Sequence, residues 1–214
     1  MATRVVACVY INKFGDSMTE NNATSQKGEP EQLEKTMKVL ADIEDSKKGS
    51  KYPPVEQWNP DVIGQIDIRI DREGDWYYQG DKMARKEMVK LFSSILRLDD
   101  DGYCLVTPVE KMKITVDVAP FSIVDFSVEK KGGQSVLLFK DSVGEDVILD
   151  KAEQLKVSLS ESGEPIPLLT VRRNLKGLIN RNVFYRLVEI AEKHEVKGRE
   201  TIGIWSSGVF FPLQ

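Results

Sequence analysis

Arginine and tryptophan supply most of the chemistry this sequence offers. Arg69, Arg85, Arg172, Arg173 and Arg181 fall in motifs that also hold Trp58, Trp76 and Trp205. A guanidinium presents a planar fork of donors to a phosphate or carboxylate, and an aromatic face stacks on a flat ring. Together they suit a small anionic ligand, phosphorylated or nucleotide-like. Asp67 and Glu110 are carboxylates that could close such a site when it is empty, and Ser206 is placed in the same set. The competing reading is structural. The same arginines would then pair with Asp67, Asp71 and Glu110 and fix two halves of the chain together.

Other chemistry is poorly represented. One histidine, His194, leaves no His-rich metal site. Asp99-Asp100-Asp101-Gly102 lacks the alternating spacing of a calcium loop and reads as a solvated turn. Trp205-Ser206-Ser207-Gly208 is not a nucleophile elbow, because no glycine stands two residues before either serine. No Gly-Lys-Ser/Thr follows the glycines at 74 and 80, so no phosphate loop is present. No catalytic residue, metal or cofactor is assigned on this basis. A binding module is favoured, with an enzyme acting on the same ligand or a protein-interaction adaptor as rivals.

Composition sets wider limits. The chain has 214 residues, is 41% hydrophobic and 30% charged, and carries a formal net charge of -4. That length suits one large domain or two small ones. A duplex-binding domain usually has the opposite sign of charge, so nucleic acid is disfavoured as a partner. No apolar run is long enough to span a membrane, and the two cysteines, Cys8 and Cys104, show no metal spacing and are expected to stay unpaired. The cytoplasm is the simplest compartment. Nothing in the pattern fixes the oligomeric state.

The elements that would position these residues follow from periodicity. Ile66, Ile68 and Ile70 alternate with Asp67, Arg69 and Asp71, a half-buried strand. The turn around Gly74 and the aromatic run Trp76-Tyr77-Tyr78 complete a hairpin over 66–79. Asp81 is a candidate cap for a helix over 84–97, where Met88, Leu91, Phe92, Ile95 and Leu96 share one face. Arg85 falls on that apolar side. Beyond Thr107-Pro108 the chain alternates in strands and turns, reading as a compact antiparallel sheet. A second helix is expected over 178–193, then a strand pair over 201–205 and 209–211. The fold class is α+β. Residues 1–51 read as an appendage, polar and disordered over 16–29 with one short helix over 31–43; 52–108 form an α+β domain, and 109–214 a β-rich domain with one helix. The prolines of 52–60 make that stretch an extended strap, with Trp58 buried beneath it or held over a pocket.

The two helices match at an offset of 96 positions, Arg85 falling on Arg181 and Leu91 on Leu187. This suggests a degenerate duplication, with both arginines in first helical turns beside apolar faces and facing one crevice between the domains.

The segments Pro53-Pro54-Val55, Trp58-Asn59-Pro60, Asp67-Ile68-Arg69-Ile70, Gly74-Asp75-Trp76, Val106-Thr107-Pro108, Ala119-Pro120-Phe121 and Gly203-Ile204-Trp205-Ser206-Ser207-Gly208 resemble the bacterial family called domain of unknown function 1285. The resemblance runs from about residue 52 to the end. It implies two small α+β domains with duplicated helix-plus-strand motifs, the second superficially similar to a pleckstrin-homology sheet and helix. It also implies a ligand site between the domains and a regulatory or signalling role. Glu56 stands where many relatives are expected to carry histidine, a departure that bears on any ligand role of that position.

Overall fold

The computed structural model describes residues 51–213. The polar run, the short helix expected over 31–43 and Cys8 lie outside the described residues. Among those described, no helix is long and apolar enough to cross a membrane.

Strand β1 (Val62–Ile70) carries the Ile66, Ile68 and Ile70 stripe into the first core. It pairs antiparallel with β2 (Trp76–Tyr78), which pairs with β3 (Asp81–Lys82). Helix α1 (Lys86–Ser94) follows, then a meander of β4 (Leu96–Asp99), β5 (Gly102–Val106) and β6 (Glu110–Val116). Strand β6 lies parallel to β1 and closes a six-stranded sheet of order β3-β2-β1-β6-β5-β4. The first sheet thus runs past the break expected at Pro108 and ends at Val116.

Helix α1 is shorter than its periodicity suggests. Asp81 is taken by β3, and Arg85 occupies the N-cap in an extended conformation. At the other end Ser93 and Ser94 turn their hydroxyls back onto the Lys90 and Leu91 carbonyls, and Ile95 leaves helical geometry. Leu96 and Leu98 then pair with β5.

The second sheet holds β7 (Phe121–Lys131), β8 (Gln134–Asp141), β9 (Asp146–Ile148), β10 (Leu155–Leu159), β11 (Pro165–Arg172) and β12 (Leu175–Ile179), in the order β10-β11-β12-β7-β8-β9. It is mixed rather than wholly antiparallel, because β12 runs parallel to β7. Helix α2 (Arg181–Glu189) buries Val183, Phe184 and Leu187 in the second core. A small sheet of β13 (Glu192–Val196), β14 (Arg199–Ser206) and β15 (Val209–Pro212) completes the chain and adds Ile204, Phe211 and Leu213 to that core.

The duplication is topological. Each unit carries a nine-residue helix followed by a three-stranded antiparallel meander. The helix starts are one residue out of step with the 96-residue match, so Arg85 caps α1 whereas Arg181 is the first residue of α2.

Candidate functional site

The two units meet where the β11–β12 hairpin enters the first one. Its tip is Arg172-Arg173-Asn174-Leu175, with Arg173 at φ 51. Leu175 is fully buried in the first core although it begins a strand of the second sheet. Three side chains of the tip donate to carbonyls of the first unit: Arg172 to Ser93, Arg173 to Pro53 at 3.0 Å, and Asn174 to Leu98 at 2.9 Å. Arg173 also pairs with Glu56, the position of the expected histidine. A second contact lies at the β1–β2 turn. A Cβ on Gly74 would stand 2.8 Å from Ser122 Cβ, and its φ of 83° already favours glycine.

Arg172 is the chemical centre of this joint. Its guanidinium lies 4.3 Å from the ring centroid of Tyr52 and 4.8 Å from that of Phe121. Nη2 meets the carbonyl of Ser93 at the C-terminal end of α1, where a cation is favoured. Nε and Nη1 are buried and have no hydrogen-bond partner among the described residues. Burial pushes the guanidinium pKa down from its ordinary value, although Tyr52 and Asp141 oppose this.

Acidic and basic groups crowd the same region. Asp141, at the end of β8, accepts the Val143 and Glu145 N–H groups at 3.0 and 2.8 Å through Oδ1, while its buried Oδ2 has no hydrogen-bond partner among the described residues. Burial raises its pKa above the usual carboxylate value, against those hydrogen bonds. Glu145 accepts ion pairs from Lys51 and from Lys90 of α1, the latter at 3.3 Å. Burial would raise the Glu145 pKa, but the two lysines hold it below its ordinary value.

These shifts predict a pH effect. A carboxyl whose folded pKa is raised binds its proton more tightly in the native state. Its contribution to stability is therefore complete at low pH and falls as pH rises from about 4 through the raised value. Asp141→Asn keeps an acceptor and removes the charge. The variant is expected to gain on the wild type as pH rises from about 4 towards 7, read as the difference in melting temperature. A difference that shrinks with pH would contradict this.

The residues expected at a site are scattered. Arg85 and Arg181 are both exposed, which removes the apolar setting on which their shared crevice rested. Arg181 Nε donates to the Tyr185 hydroxyl at 2.8 Å, and its guanidinium lies over that ring. Trp76 is 2% exposed and stacks on Phe92 in the first core. Trp58 is half-buried against the same core, and its carbonyl accepts from Arg97 at 2.7 Å. Trp205 lies in an outer cluster with His194 and Phe210. Glu110 is half-buried at the start of β6, its N–H held by Thr107 Oγ1 at 3.1 Å. Ser206 is fully buried; it donates to the Leu149 carbonyl at 2.5 Å and accepts from the Leu137 N–H at 2.9 Å.

Ser206 therefore ties the small sheet to β8. Ser206→Ala leaves the buried Leu137 N–H unpaired, at about 1–3 kcal/mol, while the Leu149 carbonyl keeps the Ser207 hydroxyl at 3.2 Å. The expected result is a lower urea midpoint with anion binding intact; lost binding at unchanged stability would restore Ser206 to a ligand site.

Asp67 and Arg69 do come together. With Tyr77, Gln79 and Gly80 they line an open depression of about 460 Å³ on the outer face of the first sheet. Arg69 is engaged there by both oxygens of Asp117, at 3.0 and 2.5 Å. With its cation neutralised and Asp67 exposed, the depression does not suit an anion. The acidic turn is also accounted for. Asp99 pairs with Arg97 at 2.7 Å and Lys111 at 2.6 Å, and Asp101 with Lys111 and Lys113 at 3.1 and 2.8 Å. Lys113 and Lys111 bring the Asp101 pKa down to about 2. Beneath them Cys104 is a free thiol whose pKa burial raises to about 11, which leaves it inert as a nucleophile near neutrality.

Of the expected residues only Arg172 and Arg173 belong to the joint as described above. Tyr52, Lys90, Phe121, Asp141 and Glu145 carry no local signal of a site, because each is an ordinary strand, strap or surface residue in its own stretch of sequence.

Two family models cover the chain: "Domain of unknown function (DUF1285), N-terminal domain" at residues 53–119 and "Protein of unknown function (DUF1285), C-terminal domain" at 120–213. A crystal structure of a DUF1285 family protein from Silicibacter pomeroyi DSS-3 shares 44% identity with a TM-score of 0.69, over 82% of this chain and 93% of the other. One from Shewanella baltica OS155 shares 33% identity with a TM-score of 0.45, over 57% and 90% of the two chains. No curated protein matches.

Proposed function

We propose that this chain, which belongs to the DUF1285 family, is a non-enzymatic regulatory protein that binds a small oxyanion, phosphorylated or nucleotide-like, at the joint between its two domains. The observation that carries the reading is the buried Arg172 guanidinium, whose Nε and Nη1 have no hydrogen-bond partner among the described residues. Buried donors left unpaired cost about 1–3 kcal/mol each, more when charged. A ligand oxygen would satisfy them. Tyr52 and Phe121 fix the plane of the guanidinium, and Lys51 and Lys90 add positive charge at Glu145. A signalling role fits a ligand held where it can bias the relation of two domains.

Pyrophosphate and a nucleoside monophosphate are the probes, added to the full chain in a thermal-shift titration. At a hundredfold excess over Kd, a bound probe stabilises by about 2.7 kcal/mol. The wild type should show this shift and Arg172→Met should lose it. Asn174→Ala, at the same hairpin tip, should melt lower yet keep the shift. Equal shifts in wild type and Arg172→Met, or none in the wild type, would refute the site.

A further inference from the structure

Strand β13 is the outer strand of the small sheet, and among the described residues its second edge pairs with nothing. Its sequence is Glu192-Lys193-His194-Glu195-Val196. In register with β14, Glu195 stands directly opposite Glu200, a like-charge pair, while Lys193 reaches diagonally to Glu200 at 2.8 Å. Like charges directly across a ladder are destabilising. Glu195 has no ion-pair partner among the described residues.

An edge strand is usually guarded against pairing by its charges. Here the charges invite it. If a second β13 runs antiparallel beside the first with His194 opposite His194, each Lys193 falls opposite a Glu195, and Glu192 falls opposite Val196. The strand is charge-complementary to itself about its central residue. The incoming lysine reaches the one carboxylate that the intrachain register sets against another carboxylate.

The surroundings also suit contact with protein. Val188 and Ile190 at the end of α2, Ile202 beside Lys193, and Trp205 are 37–44% exposed. On the outer face His194, Trp205 and Phe210 form one ring cluster, with centroids 4.8 to 5.3 Å apart. Phe210 covers Gly203, where a Cβ would stand 2.5 Å from the ring. Two-fold pairing would bring two such clusters together on one continuous face.

We infer that β13 is a homodimerisation edge, its occupant a second copy of this chain joined antiparallel through β13 with Lys193 opposite Glu195 of the other copy.

Sedimentation equilibrium of the full chain tests this with a charge swap. The wild type should dimerise with concentration. Glu195→Lys and Lys193→Glu each turn two attractive cross-strand pairs into two repulsive ones, and each should raise the dimer Kd by about tenfold or more. The double variant should return to the wild-type value. An equimolar mixture of the two single variants should form a heterodimer, because lysines then face only glutamates. A monomeric wild type, or a dimer indifferent to both single changes, would overturn the inference. Circular dichroism melts of the single variants identify any change that acts by unfolding the small sheet, and the mixture still decides in that case.

Discussion

Leu175→Ala is expected to destabilise the protein by about 2–5 kcal/mol and to uncouple its two units. Leu175 is fully buried, yet the core it fills belongs to the first unit while its backbone belongs to the second sheet. The hairpin tip around it also makes the Arg172, Arg173 and Asn174 hydrogen bonds to the first unit. Truncation leaves a cavity at the point where the units are pinned together. Wild-type urea unfolding should be one transition, coincident by tryptophan fluorescence and far-ultraviolet circular dichroism. Trp58 and Trp76 report on the first unit, and Trp205 and most of the strands on the second. In the variant the two probes should separate. A single coincident transition with a loss under about 1 kcal/mol would show that the hairpin does not couple the units.

Much of this architecture is legible in the sequence because strands with one buried face keep a period of two. Ile66, Ile68 and Ile70 mark β1 and its inward face without ambiguity, and Gly74 marks the turn after it. The failures are equally local. Leu91, Phe92, Ile95 and Leu96 keep a helical spacing that continues beyond the helix, so the pattern cannot show that Leu96 belongs to a strand; pairing with Leu105 decides it. Glu192–Val196 has no apolar alternation because its exposed edge strand buries almost nothing. Such a strand is defined by its neighbour β14, which the local sequence does not contain.

The candidate site was less legible, for a related reason. Helical periodicity places Arg85 and Arg181 on faces, but only capping geometry shows that they point to solvent. Arg172 is distinctive through Tyr52, Ser93, Phe121 and Asp141, all distant in sequence and brought to it by the docking of one unit on the other. An arginine beside an arginine in a hairpin turn looks like a solvated tip. Its burial is a property of the joint.

The same contrast sets the expected order of the three tryptophans. Trp76 is 2% exposed and stacks nearly parallel to Phe92, with ring centroids 6.5 Å apart and an interplanar angle of 13°. Both rings sit among Ile68, Ile70 and Ile95 in the first core. Trp76→Ala removes the largest side chain of that core and should cost about 3–5 kcal/mol. Trp205 is 37% exposed and has its ring contacts with His194 and Phe210 on the outer face, so Trp205→Ala should cost about 1 kcal/mol. Trp58, half-buried with its carbonyl rather than its ring holding Arg97, should fall between them. Urea midpoints of the three variants give the order directly. A near-neutral Trp76→Ala that abolished pyrophosphate binding would place its ring at a ligand instead of in the core, and the joint at Arg172 would no longer account for anion binding.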